Sequence, residues 1–550
     1  MLLRRSHQQL RRRGHGSASG LILTFRVTID GDRWTVRDHP YEGQVRPSSI
    51  SRGTVTSFYV ENFGCRATQA DGAAIERQFR ERGLERADGL LGAELVVLNT
   101  CTVTSSADQD ARAAIRRIHR ENPGCQIVVT GCYAQRAPEE LAALPGVSQV
   151  IGNSHKHRLV EIALPGWGNL ETQRSPGDPA ESATGFVPLS SLTFAQTPGA
   201  EDRAIFVSDI FAHTELLAAP VFDAANERTR PTLKVQDGCD NRCSFCVIPS
   251  VRGQSRSLPL VKVLDEVNAL VAAGYREVVI SGINLGRWGR DLGPVTSAAE
   301  ALTEDAALDA APKRCSTQNH ANERRHFEDL VRAILDNTRL EKLRISSVEP
   351  MDWSDELIEL VALSSRIAKH AHVPMQSGSD RILRRMHRKY RPWHYREKIE
   401  KIRSAMPTAA IGADVMVGFP GETDADFEAT RRMVEELPFT YLHVFTYSPR
   451  PGTAAASMGD QVPVYLARER NQVLRSLIAE KKRVFMRSFV GRLMEAITLN
   501  VVYPDAGEET TEALTDNYLK LWLKGRHPAS RWVNARIQEV GGTGLVGALA

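Results

Sequence analysis

Cys239, Cys243 and Cys246 stand within eight residues in the stretch GCDNRCSFCVIPSVRGQSRS, directly after the strand-like run LKVQ. This CxxxCxxC spacing constrains the chain more than any other feature. Three soft thiolates on one loop make a metal pocket that is one ligand short. A 4Fe–4S cluster held by three cysteines keeps one iron free for a ligand that is not protein. A zinc knuckle or a purely structural cluster fits the same spacing. Either way, the loop must sit at the end of a strand and wrap an ion or cluster.

Three further cysteines extend the pattern. The apolar, β-rich runs TSFYVENFGC, ELVVLNTC and QIVVTGC each end on one, at Cys65, Cys101 and Cys132. Their separations of 36 and 31 residues leave room for one helix and one return strand each time. Helical stripes are readable in ADGAAIERQFRERG and SADQDARAAIRRIHREN. Parallel strands follow, and residues just past their carboxyl ends converge on one crevice. A second three-thiolate site is therefore expected, although each cysteine alone reads equally as a small buried hydrophobe. Cys125 precedes the strand QIVVT and is read as structural. Cys315, in a polar insertion, is read as an incidental thiol.

With 550 residues, 42% hydrophobic and 25% charged, the chain can bury several cores. Eight cysteines are too few for a disulfide scaffold in a chain of this length, and their metal-like spacing points to a reducing, cytoplasmic setting. No apolar run reaches the length of a membrane span. The net charge of +4 is too mild to advertise nucleic acid by itself.

The expected organisation is a multidomain α/β protein. Residues 1–53 carry ten Arg against four acidic residues; they are expected to be a disordered basic extension or the product of a misassigned start. Residues 54–165 form an open parallel α/β domain, and 166–230 a linker. From 231 to 465, six strand–helix pairs make a partial (β/α)6 barrel, with an Ala-rich insertion at 294–325. The strands are LKVQ, EVVISGIN, KLRISSVEP, HAHVPMQS, AAIGADVMVGF and YLHVFTYS, and the working face of such a barrel lies at their carboxyl ends. Residues 466–550 comprise a long basic helix and a small β-module. From Lys481 onward ten Lys or Arg face seven acidic residues, and a solvated β-module accounts for that balance as well as an RNA-binding one does.

GCRATQAD, NTCTVTSSAD and GCYAQ, followed by QDGCDNRCSFCVIPSVRGQSRS, resemble the radical S-adenosylmethionine (SAM) methylthiotransferases. This two-cluster family places a methylthio group on tRNA bases or on a ribosomal protein. NTCTVT, SGINLG, ISSVEP and FTYSPRPGT are most similar to the branch acting on N6-threonylcarbamoyladenosine at position 37 of tRNA. GCRAT departs from the expected pattern, closer to KVN, without touching the cysteine.

The resemblance implies a radical SAM 4Fe–4S cluster on Cys239, Cys243 and Cys246, and an auxiliary 4Fe–4S cluster on Cys65, Cys101 and Cys132. It implies a SAM pocket lined by Gly282, Asn284, Ser347, Glu349, Gln376 and Ser377, residues that otherwise read as strand-end turns. The C-terminal module resembles the TRAM domain, an OB-like β-barrel, with Asn517 and Tyr518 as RNA contacts. Implied partners are a tRNA anticodon stem-loop, an electron donor such as flavodoxin or ferredoxin, and a sulfur source. The nearest alternatives act on isopentenyladenosine in tRNA or on a ribosomal protein aspartate. A cluster-bearing RNA-binding protein without turnover is the alternative of another class.

Overall fold

The computed structural model describes residues 27–30, 33–36, 55–164, 204–213, 216, 229–292, 325–505 and 508–550. The 294–324 part of the insertion, Cys315 with it, and most of the basic extension lie outside these residues. The chain divides into two units, Met1–Thr54 and Val55–Ala550. In the first, β1 (Val27–Asp30) pairs antiparallel with β2 (Arg33–Val36).

The second unit opens with β3 (Ser57–Asn62), α1 (Arg66–Glu81), β4 (Glu85–Arg86), β5 (Leu95–Thr100) and α2 (Ser105–Glu121). It continues through β6 (Gln126–Gly131), α3 (Cys132–Arg136), α4 (Pro138–Ala142), β7 (Val147–Gly152), α5 (Leu159–Ala163) and β8 (Ala204–Phe206). These strands form one parallel sheet, in the order β4-β3-β5-β6-β7-β8. Every residue of β5 is buried, as a central parallel strand covered on both faces requires. Its alternation splits the core: Val96 and Leu98 pack with the α2 side, Leu95 and Val97 with the α1 side. β8 corrects the expectation of a plain linker over 166–230. Its three residues are too short to show a period, and only their pairing with β7 makes them a strand.

The central part runs β9 (Thr232–Asp237), α6 (Ile248–Arg252), β10 (Arg256–Ser257), α7 (Leu260–Ala272), β11 (Glu277–Gly282), α8 (Phe327–Asn337) and β12 (Lys342–Ile345). Then follow α9 (Asp355–Leu363), β13 (His370–His372), α10 (Asp380–Arg385), α11 (Pro392–Ala405), β14 (Ala410–Val417), α12 (Asp424–Glu436), β15 (Tyr441–Thr446) and α13 (Val464–Arg487). β9, β11 and β12 are parallel neighbours, as are β13, β14 and β15. The bridges Leu343↔Ile367 and Ser347↔His372 join the two sets. Six parallel strands thus stand in chain order, and among the described residues β9 and β15 share no ladder. A single large core lies between them and their helices, including Leu233, Ile280, Leu343, Val415 and the buried Trp353.

The chain ends in a closed barrel with strand order β16-β17-β18-β20-β19, made of β16 (Leu493–Asp505), β17 (Glu508–Thr515), β18 (Lys520–Lys524), β19 (Trp532–Val540) and β20 (Leu545–Leu549). The run ALTDNYLKLWLKG is broken into β17 and β18 at Tyr518, whose φ is 67°.

Candidate active site

The CxxxCxxC loop leaves β9 through Gly238, whose φ is 71°. A side chain there would overlap the carbonyl oxygen of Gln254, so glycine alone permits the turn that aims Cys239. The Cys239 amide donates to Gly253 O at 3.0 Å and the Cys246 amide to Cys243 O at 3.1 Å. N–H donors back the sulfurs: the Asn241 amide lies 3.4 Å from Cys239 Sγ, Asn284 Nδ2 3.6 Å from the same atom, and Arg388 Nη1 3.3 Å from Cys243 Sγ. Burial pushes the Cys246 thiol up to about 12 and raises Cys239 as well. Burial thus favours the protonated form of these two thiols, so binding a soft metal there must release protons.

The second set converges as well. Cys65 caps α1, Cys101 follows β5 and Cys132 opens α3, at the ends of the adjacent strands β3, β5 and β6. Gly64 has φ 104°, and a Cβ on it would overlap Cys101 Cβ and lie 2.8 Å from Cys101 Sγ. Burial, with Cys132 and Cys65 close by, pushes the Cys101 thiol up to about 11. Asn153 Nδ2 reaches to 3.6 Å from Cys132 Sγ. Cys132 packs on Val247 and Val251, beside Cys246, so both thiol groups lie in one region. Cys125 is half-buried against the α2-side core at the opposite end of β6, as read from sequence.

The residues expected around SAM divide. A Cβ on Gly282 would meet Gln236 Oε1 at 2.8 Å, and the Asn284 amide donates to that same oxygen at 2.7 Å. Asn284 Oδ1 is buried with no hydrogen-bond partner, and so is available to a ligand. Glu349 accepts from Arg388, which ties it to the cluster loop, and both line a small cleft with Asn241, Cys243 and Tyr390. Ser347 Oγ pairs with His372 Nδ1 at 3.0 Å. Gln376 holds a left-handed turn, φ 63°, bonded through its backbone to Asp414 and Met416. Ser377 is a correction: its side chain is 1% exposed and pairs with Thr430 Oγ1 of α12 at 3.2 Å, so it fastens the turn to a helix.

Asn517 departs from the expected RNA contact. Asn517 is 3% exposed; its Nδ2 donates to Thr408 O at 2.9 Å, and its Oδ1 accepts from Thr515 Oγ1 at 2.7 Å. It docks the C-terminal barrel instead of facing RNA. The Tyr518 ring lies tilted against His370, with centroids 4.7 Å apart, and 5.9 Å from Tyr441, with Arg344 5.4 Å from its centre. Its hydroxyl accepts from Arg66, next to Cys65, at 3.4 Å.

Sequence reasoning missed two groups. His372, Asp414 and His443, on the neighbouring strands β13, β14 and β15, bring ligand atoms within 4.8 Å of one another. The other group joins the N-terminal sheet to the central strands. Asp71 of α1 accepts from Lys156 Nζ at 2.9 Å, from Arg252 Nη2 at 3.0 Å and from Lys234. Asp237 accepts from Lys234 Nζ at 2.8 Å and Arg252 Nη1 at 3.0 Å. Burial opposes the charge on Asp71, yet Lys156, Lys234 and Arg252 outweigh it and hold the carboxyl well below the usual range. Only the i, i+3 pair Lys234 and Asp237 could have hinted at this in sequence.

The profile of the Radical SAM superfamily matches residues 233–434, and that of uncharacterized protein family UPF0004 matches 57–152. The chain is 33% identical over 462 residues to the threonylcarbamoyladenosine tRNA methylthiotransferase MtaB of Bacillus subtilis (strain 168), covering 84% of this chain and 89% of that protein. The chain belongs to the radical SAM methylthiotransferases. The MtaB protein of Aquifex aeolicus is 32% identical over 479 residues, covering 87% of this chain and 99% of its own length. The tRNA-2-methylthio-N(6)-dimethylallyladenosine synthase of Sphingopyxis alaskensis is 32% identical over 441 residues, covering 79% and 85%. As a radical SAM methylthiotransferase, the chain is an enzyme that transfers sulfur-containing groups, using a 4Fe–4S cluster and SAM. Among the described residues no helix is long and apolar enough to cross a membrane.

Proposed function

We propose that this enzyme replaces the hydrogen at C2 of N6-threonylcarbamoyladenosine-37 in tRNA with a methylthio group. The observation that carries the substrate is the agreement of relatives named for threonylcarbamoyladenosine, each aligned over most of both chains. The relative named for dimethylallyladenosine makes an isopentenylated adenosine the second reading.

An unactivated aromatic C–H bond is beyond ordinary acid–base chemistry. When bound, SAM and the iron–sulfur clusters supply the radical, the methyl group and the sulfur. Cys239, Cys243 and Cys246 would hold the radical SAM cluster, and the three-sulfur donor set, backed by N–H groups, fits it. Cys65, Cys101 and Cys132 would hold an auxiliary 4Fe–4S cluster. Gly282, Asn284 and Glu349 would bind SAM beside the first set, with Ser347 and Gln376 shaping the neighbouring strand ends.

The C-terminal barrel, OB-like and of TRAM type in this reading, would carry RNA through its Lys and Arg side chains, and the target base lies in an anticodon loop where it is already partly unstacked. The domain limits remain 54–165, 231–465 and 466–550, with β8 added to the first, and the setting is cytoplasmic with an external electron donor and sulfur source.

Nucleoside mass spectrometry of tRNA from a strain lacking the gene tests the substrate. Loss of the methylthio form of threonylcarbamoyladenosine is expected, and its unchanged level would reject the assignment. Cys101→Ala should abolish product while reductive SAM cleavage continues. Complete loss of cleavage, with the other cluster intact, would refute the division between the two thiol sets.

A further inference from the structure

Behind Cys132, at the joint between the N-terminal sheet and the central strands, lies a cavity of about 20 Å³. Four cations, Lys156, Lys234, Arg252 and Arg256, line it against two carboxylates, Asp71 and Asp237. Both carboxylates are spent on Lys156, Lys234 and Arg252. Arg256 is the cation left over. It is 9% exposed, and its Nη atoms donate only to the carbonyls of His213 and Arg252, each at 2.9 Å. No carboxylate among the described residues forms an ion pair with it. Asp291, the acid of the neighbouring loop, is bonded to Ser257 instead.

Three nitrogens and one oxygen of the lining residues point to a guest. Arg252 Nε, Arg256 Nε and His157 Nδ1 are buried without a hydrogen-bond partner, and so is Asn153 Oδ1. A buried charge whose nearby carboxylates are already shared with three other cations is costly, and here burial outweighs the pull of Asp237 and lowers the pKa of Arg256. A space of this volume admits about one water-sized particle, which favours a monatomic or diatomic anion over sulfate, phosphate or a carboxylate ligand.

We propose that this cavity is a binding site for one small monovalent anion, of the size of chloride or hydrosulfide, held by Arg256 and Arg252. Of the two, hydrosulfide suits the lining better. It accepts from the guanidinium N–H groups as chloride does, and its S–H can also donate to Asn153 Oδ1. The site lies one side chain from the auxiliary thiols, because Asn153 lines it while its Nδ2 touches Cys132 Sγ at 3.6 Å. Each methylthio group made removes one sulfur atom from the enzyme, so a reserve of hydrosulfide at this point would serve the reaction. That assignment rests on the methylthiotransferase reading; the anion site itself does not.

Chloride-35 NMR line broadening on the full, cluster-loaded chain under anaerobic conditions tests the site. Excess broadening is expected, removed by millimolar sodium hydrosulfide and not by sulfate, and weakened about tenfold in affinity, roughly 1.4 kcal/mol, in Arg256→Gln. Equal broadening in both proteins, or equal displacement by sulfate, would overturn the proposal. If Arg256→Gln does not fold, Arg256→Lys keeps the charge but loses the fork. Its chloride affinity should fall, and wild-type affinity would remove the guanidinium from the site.

A second readout separates the two anions. In multiple-turnover assays Arg256→Gln should raise the half-saturating hydrosulfide concentration and leave the rate at saturation intact. An unchanged half-saturation overturns the hydrosulfide assignment. No methylthiolated product at any hydrosulfide concentration would be a failure of the functional reading, which the chloride titration does not share.

Discussion

Gly64 shows how a single residue without chemistry of its own can decide how closely two thiols approach. Its φ of 104° costs an L-residue about 1–2 kcal/mol, and any Cβ would strike Cys101. Gly64→Ala should therefore displace Cys65 from Cys101 and release about half of the bound iron, while SAM cleavage at the CxxxCxxC loop persists. Iron analysis together with the yield of 5'-deoxyadenosine checks this, and full iron content in the variant would contradict it. The six cysteines were legible in sequence because their spacing and strand-end positions repeat. Gly64 was not, because its role depends on a contact with a residue 37 positions later. Arg388 was hidden for the same reason, reaching Cys243 from 145 positions away.

Among the elements, long buried strands announced themselves and short ones did not. The run LVVLNT of β5 is buried throughout, and runs of this kind make most strands of the N-terminal sheet readable in the sequence. β8 has three residues and exists only through its neighbour. The β17–β18 turn misled in the opposite sense. Asn and Tyr in a turn read as exposed, but docking on the central strands buries Asn517 and sets Tyr518 against His370. Asn517→Ala removes both of its hydrogen bonds and leaves Thr408 O without this donor, a loss of about 1–3 kcal/mol. Thermal unfolding should show that loss. The salt dependence of tRNA binding should keep its slope, since Asn517 meets no phosphate; a reduced slope would return it to the RNA surface.

At the scale of the whole second unit, two buried ionic joints fasten the N-terminal sheet to the central strands. One is Asp108, which accepts from Arg136 Nη2 at 3.1 Å and from Arg450 of the YSPRPGT stretch. The other is Asp71 with its three cations, next to the auxiliary thiols. A buried ion pair adds little when compared with a well-packed apolar pair, but removing one partner strands the others, at about 3–5 kcal/mol. Asp71→Asn keeps the shape and removes the charge, so Lys156, Lys234 and Arg252 are left with Asp237 alone. The first unfolding transition in urea should move to lower concentration, and limited proteolysis should cut between the sheet and β9. The pH dependence follows from the same geometry. The folded carboxyl titrates well below its unfolded value of 3.8, so its contribution is present above that value and is lost only as pH falls through the folded pKa. Between pH 7 and 5 the joint should hold undiminished in the wild type. A joint that loosened over that interval would mean that Asp71 takes up a proton there, and that the three cations do not hold it as their geometry requires.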